Sequence, residues 1–323
     1  MDTIFYPTEL LADWLTYTIF SISHGTFLGE AVKFFIADTA KIFILLAVII
    51  FIVSMIRSFL PAEKIRTILT QKYKFGGNIL AALFGIITPF CTCSAIPLFL
   101  GFVQAGVPLG VTFSFLISSP MINEVALVLL LGMFGWKIAL LYVISGLLIA
   151  IISGAIIGKM NLESLVEESV YKAHSNANLS LKEQSWKERA KYARSYTADI
   201  IKKVWPYLII GIGLGAWIHG YIPTDFLARY AGNDKWYAVP LATLIGIPLY
   251  SNAAGILPLV SVLTEKGVSI GTTLAFMMAV TGLSLPEFLI LKKVIKTKLI
   301  VIFASIVGFG ILLTGYLFNI VLK

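Results

Sequence analysis

Four stretches of this sequence are so poor in charge that they constrain the fold more than any other feature does. They cover residues 41–55, 136–157, 201–222 and 299–322. A helix rises about 1.5 Å per residue, so each stretch is long enough, or nearly so, to cross roughly 30 Å of hydrocarbon. Only 13% of the chain is charged, against roughly 25% in soluble domains. The sequence therefore predicts an all-α polytopic membrane protein whose main partner is the lipid bilayer.

Between these stretches lie two apolar regions, residues 76–134 and 236–291, that proline and glycine interrupt repeatedly. Proline removes a backbone donor and clashes with the preceding helical turn. We therefore expect several short or discontinuous transmembrane helices in each region. The breaks are predicted at Pro89, Pro97, Pro120, Pro248, Pro258 and Pro286.

The chain repeats itself when it is displaced by 161 residues. Identical prolines, glycines and lysines then coincide without a gap, including Gly85 with Gly246, Pro97 with Pro258, Gly106 with Gly267, Gly110 with Gly271 and Lys137 with Lys298. Chance matches in apolar sequences fall on leucine and isoleucine rather than on these residue types. We divide the chain into an amphipathic, membrane-associated segment (1–38), copy one (39–158), a charged loop (159–200) and copy two (201–323).

The distribution of basic residues indicates that the two copies have inverted topology. Residues 57–74 carry five basic residues and one acid, while their counterpart in copy two is neutral; residues 292–298 are densely basic, while their counterpart has one lysine. Because cytoplasmic loops are rich in lysine and arginine, the basic loops swap sides between the copies. Loop 159–200 is predicted to be cytoplasmic, and the membrane to be the inner membrane of a prokaryote. These basic clusters explain the net charge of +8, so we expect no nucleic-acid partner.

Inverted repeats with broken helices place a substrate site near the middle of the bilayer. The first break contains the two cysteines of the chain, Cys91 and Cys93. In an extended stretch, residues two apart point to the same side, and two soft sulfur ligands suit a thiophilic solute or metal ion. The alternative is that both cysteines are small packing residues.

Further polar residues lie at the other predicted breaks. The predicted substrate-binding residues are Cys91, Thr92, Cys93, Ser94, Ser118, Ser119, Asn123, Tyr250, Ser251, Asn252 and Ser284. Glu124 and Glu287 follow the later breaks, and an acid within a span is often a proton carrier. Both acids could instead lie near the membrane interface, where they would be ordinary.

No recognisable enzyme or cofactor motif is present in the sequence. The three histidines are scattered, and there is neither a phosphate-binding P-loop nor a Gly-x-Ser-x-Gly nucleophile motif. We expect no cofactor and no catalytic activity, and the candidate metal ligands are Cys91 and Cys93.

The run Thr88-Pro89-Phe90-Cys91-Thr92-Cys93-Ser94-Ala95-Ile96-Pro97, followed by residues 106–110 and 118–124, resembles the bacterial and archaeal "predicted permease" family, which includes the organoarsenical efflux permease ArsP. The resemblance covers nearly the whole chain. It implies secondary efflux of a toxic solute, with trivalent methylated arsenicals as the best-known cargo. A trivalent arsenic with one methyl group has two positions left for sulfur, which matches two cysteines. Some members resemble one half of a two-component permease.

Three functional hypotheses follow. The leading one is a secondary transporter that exports a thiophilic solute bound at Cys91 and Cys93, with proton coupling through Glu124 or Glu287. The second is a membrane-embedded thiol-redox or sulfur-transfer protein. The third is a non-transporting subunit that assists a partner permease or senses stress. The possible protein partners are a second membrane subunit or further copies of this chain in a homo-oligomer.

Overall fold

The chain is almost entirely helical in the part that the structure describes. The structure is a computed structural model, and it describes residues 2–59, 76–88, 92–122, 124–167, 186–221, 235–249, 253–292 and 294–322. The helices are α1 (Asp2–Asp13), α2 (Phe27–Phe59), α3 (Gly76–Ile87), α4 (Thr92–Gln104), α5 (Leu109–Met121), α6 (Glu124–Lys159), α7 (Trp186–Tyr221), α8 (Ala238–Gly246), α9 (Ala253–Glu265), α10 (Ile270–Gly282), α11 (Leu285–Leu291) and α12 (Thr297–Val321). The predicted all-α fold class is confirmed.

The long helices contain the four charge-poor stretches, which lie in α2, α6, α7 and α12. By length and composition, three described helical stretches can cross a membrane: Ala126–Lys159, Ile270–Leu291 and Thr297–Val321. On α6, large apolar side chains recur every fourth residue and are 40–53% exposed: Leu140, Ile144, Leu148, Ile152 and Ile156. One exposed apolar stripe along a helix of this length is typical of a surface in contact with lipid. The predicted polytopic membrane class is thus confirmed.

The N-terminal region consists of α1, a π-helical turn at Trp14–Ile19 and the start of α2. A salt bridge of 2.9 Å between Lys33 Nζ and Asp13 Oδ1 joins α2 to the end of α1. Helix α2 continues without interruption across residue 38. The proposed segment boundary there does not coincide with a helix end, and the division of the chain into segments stays a prediction.

Six short helices, α3 to α5 and α8 to α10, occupy the two regions rich in proline and glycine. The longest of them have 13 residues, or about 20 Å of helix, so none crosses a bilayer alone. Helices α4 and α5 form a hairpin that turns at Gly106 (φ 76), and α9 and α10 form one that turns at Gly267 (φ 85). In both turns the glycine and the following valine donate to carbonyls of the preceding helix, a helix ending that favours glycine because φ is positive.

Helix α6 is broken at Gly135, whose φ of 79° and ψ of 171° are not helical. The break separates residues 124–134 from residues 136–159. At the corresponding place in copy two, α11 ends at Leu291 and α12 begins at Thr297. Both copies therefore contain a short helical segment followed by a long helix.

Helices α5 and α10 form the centre of the molecule. All residues of α5 are buried, as are all residues of α10 after its first. A Cβ placed on Gly110 of α5 would collide with the Gly154 carbonyl and with Gly158 of α6. Its counterpart Gly271 meets the Gly315 carbonyl of α12 in the same way. These glycines allow helix backbones to approach closely, as small residues do in membrane proteins.

The two copies also contact each other through corresponding helices. Helix α2 packs against α7, α5 against α10, and α6 against α12. In two of these pairs, corresponding residues meet. A Cβ on Gly282 would lie 3.6 Å from Met121 Cγ, and one on Gly310 would lie 3.1 Å from Ile149 Cγ1; each pair is separated by 161 residues in the sequence.

Helices α2 and α7 run in opposite directions. Phe35, near the start of α2, faces Gly213, near the end of α7. The later part of α2 faces the earlier part of α7 across a groove of about 420 Å³ lined by Ala47, Val48, Phe51, Ile52, Arg194, Thr197, Ala198 and Ile201. Helices α2 and α7 are therefore antiparallel.

Helices α6 and α12 are also antiparallel. The segment that follows α6 lies beside the segment that precedes α12, where Val166 and Ile295 form an antiparallel bridge. Lys296 N donates to Leu165 O (2.8 Å), and Glu167 N donates to Val294 O (2.9 Å). Together with the contact between Ile149 and Gly310 halfway along both helices, this pairing sets the end of α6 beside the start of α12.

Candidate functional site

The predicted cysteine site lies at the start of α4. Helix α3 ends at Ile87, and α4 begins at Thr92, so Cys93 is the second residue of a helix. Pro89 and Cys91 lie outside the described residues, as do the side chains of Thr92, Cys93 and Ser94. The expectation of an extended stretch reaching to Pro97 is wrong for residues 92–97, which are helical. The contact of the thiols with a solute or metal stays a prediction.

Three of the predicted helix breaks are corrected by the structure. Pro97 lies inside α4, Pro120 inside α5 and Pro258 inside α9. An internal proline removes one helical hydrogen bond and bends the helix, and burial of the residues around it can outweigh that cost. By contrast, Pro248 lies in the turn after α8, and Pro286 lies in the first turn of α11.

In copy two, the break corresponding to the cysteine site lies between α8 and α9. Tyr250, Ser251 and Asn252 are outside the described residues, and α9 begins at Ala253. Leu285 N, at the start of α11, donates to Ile247 O at 2.8 Å. The start of α11 is therefore attached to the chain just before this break.

Three of the serines predicted to bind substrate, Ser118, Ser119 and Ser284, are buried near the ends of α5 and α10. Ser118 Oγ donates to Phe115 O at 3.1 Å, and a Cβ on Gly85 of α3 would collide with this hydroxyl, so Ser118 fills the contact between α3 and α5. Ser119 and Ser284 are buried as well. Asn123 lies outside the described residues. The role of these residues in substrate binding stays a prediction.

A polar group that sequence reasoning missed connects α6 to α5. The Tyr142 hydroxyl of α6 donates to Met121 O at the end of α5 (2.8 Å), while the Thr281 hydroxyl of α10 donates to Met277 O of its own helix. Tyr142 is fully buried. A single tyrosine within an apolar span was the available signal, since a buried phenol needs a partner.

Asn78 is a second residue that the sequence reasoning missed. Its side-chain amide, on α3, donates to Gly110 O (3.1 Å) and to Ser114 Oγ (2.9 Å) of α5. In copy two the positions of Asn78 and Ser114 hold Val239 and Ala275. Both partners are therefore polar in copy one and apolar in copy two.

Glu287 differs from these polar residues because its carboxylate has no hydrogen-bond partner among the residues that the structure describes. It lies in the first turn of α11 and is 1% exposed. Neither carboxylate oxygen is hydrogen bonded within the described part of the chain. Helix α11 packs against α4 and α7, so the helix that carries Glu287 contacts the helix that carries Cys93. Glu124 is the first residue of α6, and its side chain is outside the described set.

No metal centre is evident among the residues that the structure describes. They include no group of three or more histidine, cysteine, aspartate or glutamate side chains that could hold an ion. The thiols of the proposed ligand pair, Cys91 and Cys93, lie outside the described part of the chain. Its capacity to hold a metal therefore stays a prediction.

The fold and the arrangement of short and long helices define an all-α polytopic membrane protein. The family described as "Predicted permease" matches residues 27–320. The chain belongs to this family, as the motifs around Cys91 and Cys93 predicted. By its family it is a membrane permease.

Several curated proteins are similar to this chain. The UPF0718 protein MJ0584 of Methanocaldococcus jannaschii is 24% identical, over 81% of this chain and 92% of its own length. A protein of Streptococcus mutans named "putative two-component membrane permease complex subunit" is 26% identical, over 73% of this chain and 79% of its own. The UPF0718 protein YraQ of Escherichia coli is 22% identical, over 81% of this chain and 73% of its own length. No solved structure matches the chain significantly.

Proposed function

We propose that this permease is a secondary transporter that exports a thiophilic toxic solute, such as a trivalent methylated arsenical, across the inner membrane. Its two copies form inverted repeats, and the solute binds where the helix breaks of the two copies face each other. The observation that carries this proposal is the opposite direction of corresponding helices, α2 against α7 and α6 against α12. Inverted repeats around a central site are a common architecture of secondary transporters.

The position of Cys93 in α4 supports a soft ligand. Cysteine sulfur is a soft ligand that binds metals and metalloids, and Cys93 is the second residue of this helix. Because α4 packs on the fully buried α5, such a ligand would be held against the centre of the protein.

Loop 159–200 is proposed to be cytoplasmic. It includes seven of the 25 lysine and arginine residues, and Lys202 and Lys203 follow directly after it. Its first residues pair with the basic segment between α11 and α12 through the bridge between Val166 and Ile295. Two basic segments on one face of the protein agree with the bias of cytoplasmic loops.

Transport into everted membrane vesicles tests the cargo proposal. The panel is methylarsenite, arsenite, antimonite and divalent metal ions, each with and without a pH gradient. We expect the double variant Cys91→Ser/Cys93→Ser to reduce methylarsenite uptake to the level of vesicles without the protein. Unchanged uptake by this variant, at equal protein abundance, would contradict the role of the thiols.

A matched control keeps one thiol in the chain but moves it away from α4. Adding Ser164→Cys to the double serine variant places a cysteine at an exposed position after α6. This triple variant should remain as inactive as the double variant. Recovery of uptake would show that any thiol suffices and that the helix break is not the binding site.

A second candidate function is that of a subunit in a two-component permease. The name of the Streptococcus mutans relative favours it. Purified protein in liposomes would then move none of the tested solutes, and a second membrane protein encoded in the same genome would copurify with it. Transport by the purified chain alone would exclude this candidate.

A further inference from the structure

The buried carboxylate of Glu287 requires an explanation that packing does not provide. A charged carboxylate without a partner is very costly in apolar surroundings, whereas a protonated acid is much less so. Glu287 is 1% exposed, and both of its oxygens lack a hydrogen-bond partner among the described residues. Its surroundings therefore suit the neutral acid.

The titratable groups whose side chains the structure describes on the neighbouring elements do not change this conclusion. Helix α4 carries Cys93, and α11 is followed by Lys292 and Lys293. On α7 the charged and phenolic side chains occur from Lys187 to Lys203 and continue at Tyr207, His219 and Tyr221. Within the described residues, none of them forms an ion pair or a hydrogen bond with Glu287.

The counterpart of Glu287 in copy one is apolar. Displacement by 161 residues carries Glu287 onto Ala126, which is buried in α6. The same displacement carries Cys93 onto Ala254 in α9. The chain thus contains two corresponding helix junctions: α4 with α11, and α9 with α6. The first carries a cysteine and a buried acid, and the second carries an alanine at both positions, with Glu124 two residues before Ala126.

We propose that the two junctions are unequal, that Glu287 at the α4–α11 junction binds the proton exchanged for cargo, and that the α9–α6 junction is structural. This inference rests on the proposed transport function. Glu287 binds a proton arriving from outside and releases it to the cytoplasm, while cargo moves outward. Loss of the proton leaves an unpaired charge inside the protein, which destabilises this arrangement and favours one in which Glu287 reaches water. Because α11 packs on α4, the change is transmitted to the helix that carries Cys93.

The first experiment uses the full chain in proteoliposomes with methylarsenite as the probe. Two fluxes are measured: accumulation driven by an imposed pH gradient, and exchange of labelled for unlabelled probe at equal pH. We expect Glu287→Gln to lower the ratio of driven flux to exchange at least tenfold, because glutamine cannot release a proton. Glu287→Asp should recover part of this ratio. An unchanged ratio in Glu287→Gln overturns the proposal, as does a wild-type flux that follows a sodium gradient instead of the pH gradient.

Two matched controls separate this effect from general damage. Glu163→Gln removes an exposed carboxylate after α6, and Ala126→Ser makes a small change at the other junction. Both should keep the ratio within twofold of the wild type. A tenfold loss in Ala126→Ser would show that the two junctions share the coupling, contrary to the proposal.

A second readout does not depend on the cargo. Infrared difference spectra of the purified protein after a pH step should contain the C=O band of a carboxylic acid. This band should be absent in Glu287→Gln and present in Glu163→Gln. If no probe is transported by the wild type, the proposed function fails, and the band still decides the protonation of Glu287. Persistence of the band in Glu287→Gln overturns the inference.

Discussion

At the scale of single residues, two buried polar side chains in the apolar helices, Asn78 and Tyr142, have hydrogen-bond partners. The Asn78 amide is bonded to α5, and the Tyr142 phenol is bonded to Met121 O. Neither lipid nor an apolar core can satisfy such groups, so each needs a partner within the protein. The joint replacement of Asn78 and Ser114 by Val239 and Ala275 in copy two fits this requirement, because losing one partner alone leaves a buried group unsatisfied.

The variant Tyr142→Phe should lower the stability of the folded protein by about 1 kcal/mol, the typical net contribution of one hydrogen bond. Phenylalanine should fit sterically, because the corresponding residue in copy two is Phe303. Thermal unfolding in detergent measures the effect, with Tyr237→Phe at an exposed position as the control. Equal melting temperatures for the two variants would contradict a structural role of the bond between Tyr142 and Met121.

The sequence shows which polar residues lie among apolar ones, but it does not show which residues they bind to in the fold. Glu287 is recognisable as an acid among apolar residues. Within the described part of the chain it has no hydrogen-bond partner, and its neighbours belong to α4 and α7, helices that lie far from it in the chain. In the same way, Asn78 meets Ser114 only because α3 packs on α5. Contacts between distant segments depend on crossing geometry, which local sequence patterns do not contain.

At the scale of helices, glycine contacts determine how the short helices pack. Gly110 approaches Gly154 and Gly158, and Gly271 approaches Gly315. The sequence predicted short helices in these regions, and the glycine turns of both hairpins occur at corresponding positions. It misjudged Pro97, because the lost hydrogen bond is one local cost while Phe99 and Phe102 gain burial further along the same helix. Burial of later residues depends on α5, which the local pattern around the proline does not show.

Replacing Gly110 with alanine should destabilise the protein by about 1–3 kcal/mol, the usual cost of overpacking. The added methyl group would collide with backbone atoms of Gly154 and Gly158, which cannot rotate away. The control is Gly132→Ala in α6, where a Cβ has no atom within 4 Å and where alanine favours the helix. Thermal unfolding of both variants tests this, and equal stability would contradict the close crossing of α5 and α6.

At the scale of the whole molecule, the two copies pack against each other through corresponding helices. The pairs α2 with α7 and α6 with α12 are antiparallel. If α6 and α12 both cross the bilayer, their first residues lie on opposite faces. Charge counting along the sequence predicts inverted copies, and that stays a prediction, whereas the meeting of Ile149 and Gly310 could be learned only from the fold.

The corresponding lysines Lys137 and Lys298, both exposed, provide a test of the inversion. Each is changed to cysteine in the Cys91→Ser/Cys93→Ser background and treated with a membrane-impermeant thiol reagent. In intact cells we expect labelling of Lys137→Cys and not of Lys298→Cys, and in everted vesicles the reverse. Glu163→Cys serves as the reference for the cytoplasmic side. Labelling of both lysine positions from one side would contradict inverted repeats.

A contact between equal positions, as at Met121 with Gly282 and at Ile149 with Gly310, is the kind that two identical subunits form around a twofold axis. A half-length ancestor able to insert in either orientation would already have possessed this interface as a homodimer. Fusing two such genes would then have required only a connecting segment. After such a fusion the halves would no longer have to share one sequence, and here one half has Cys91 and Cys93 where the other has Asn252 and Ala254.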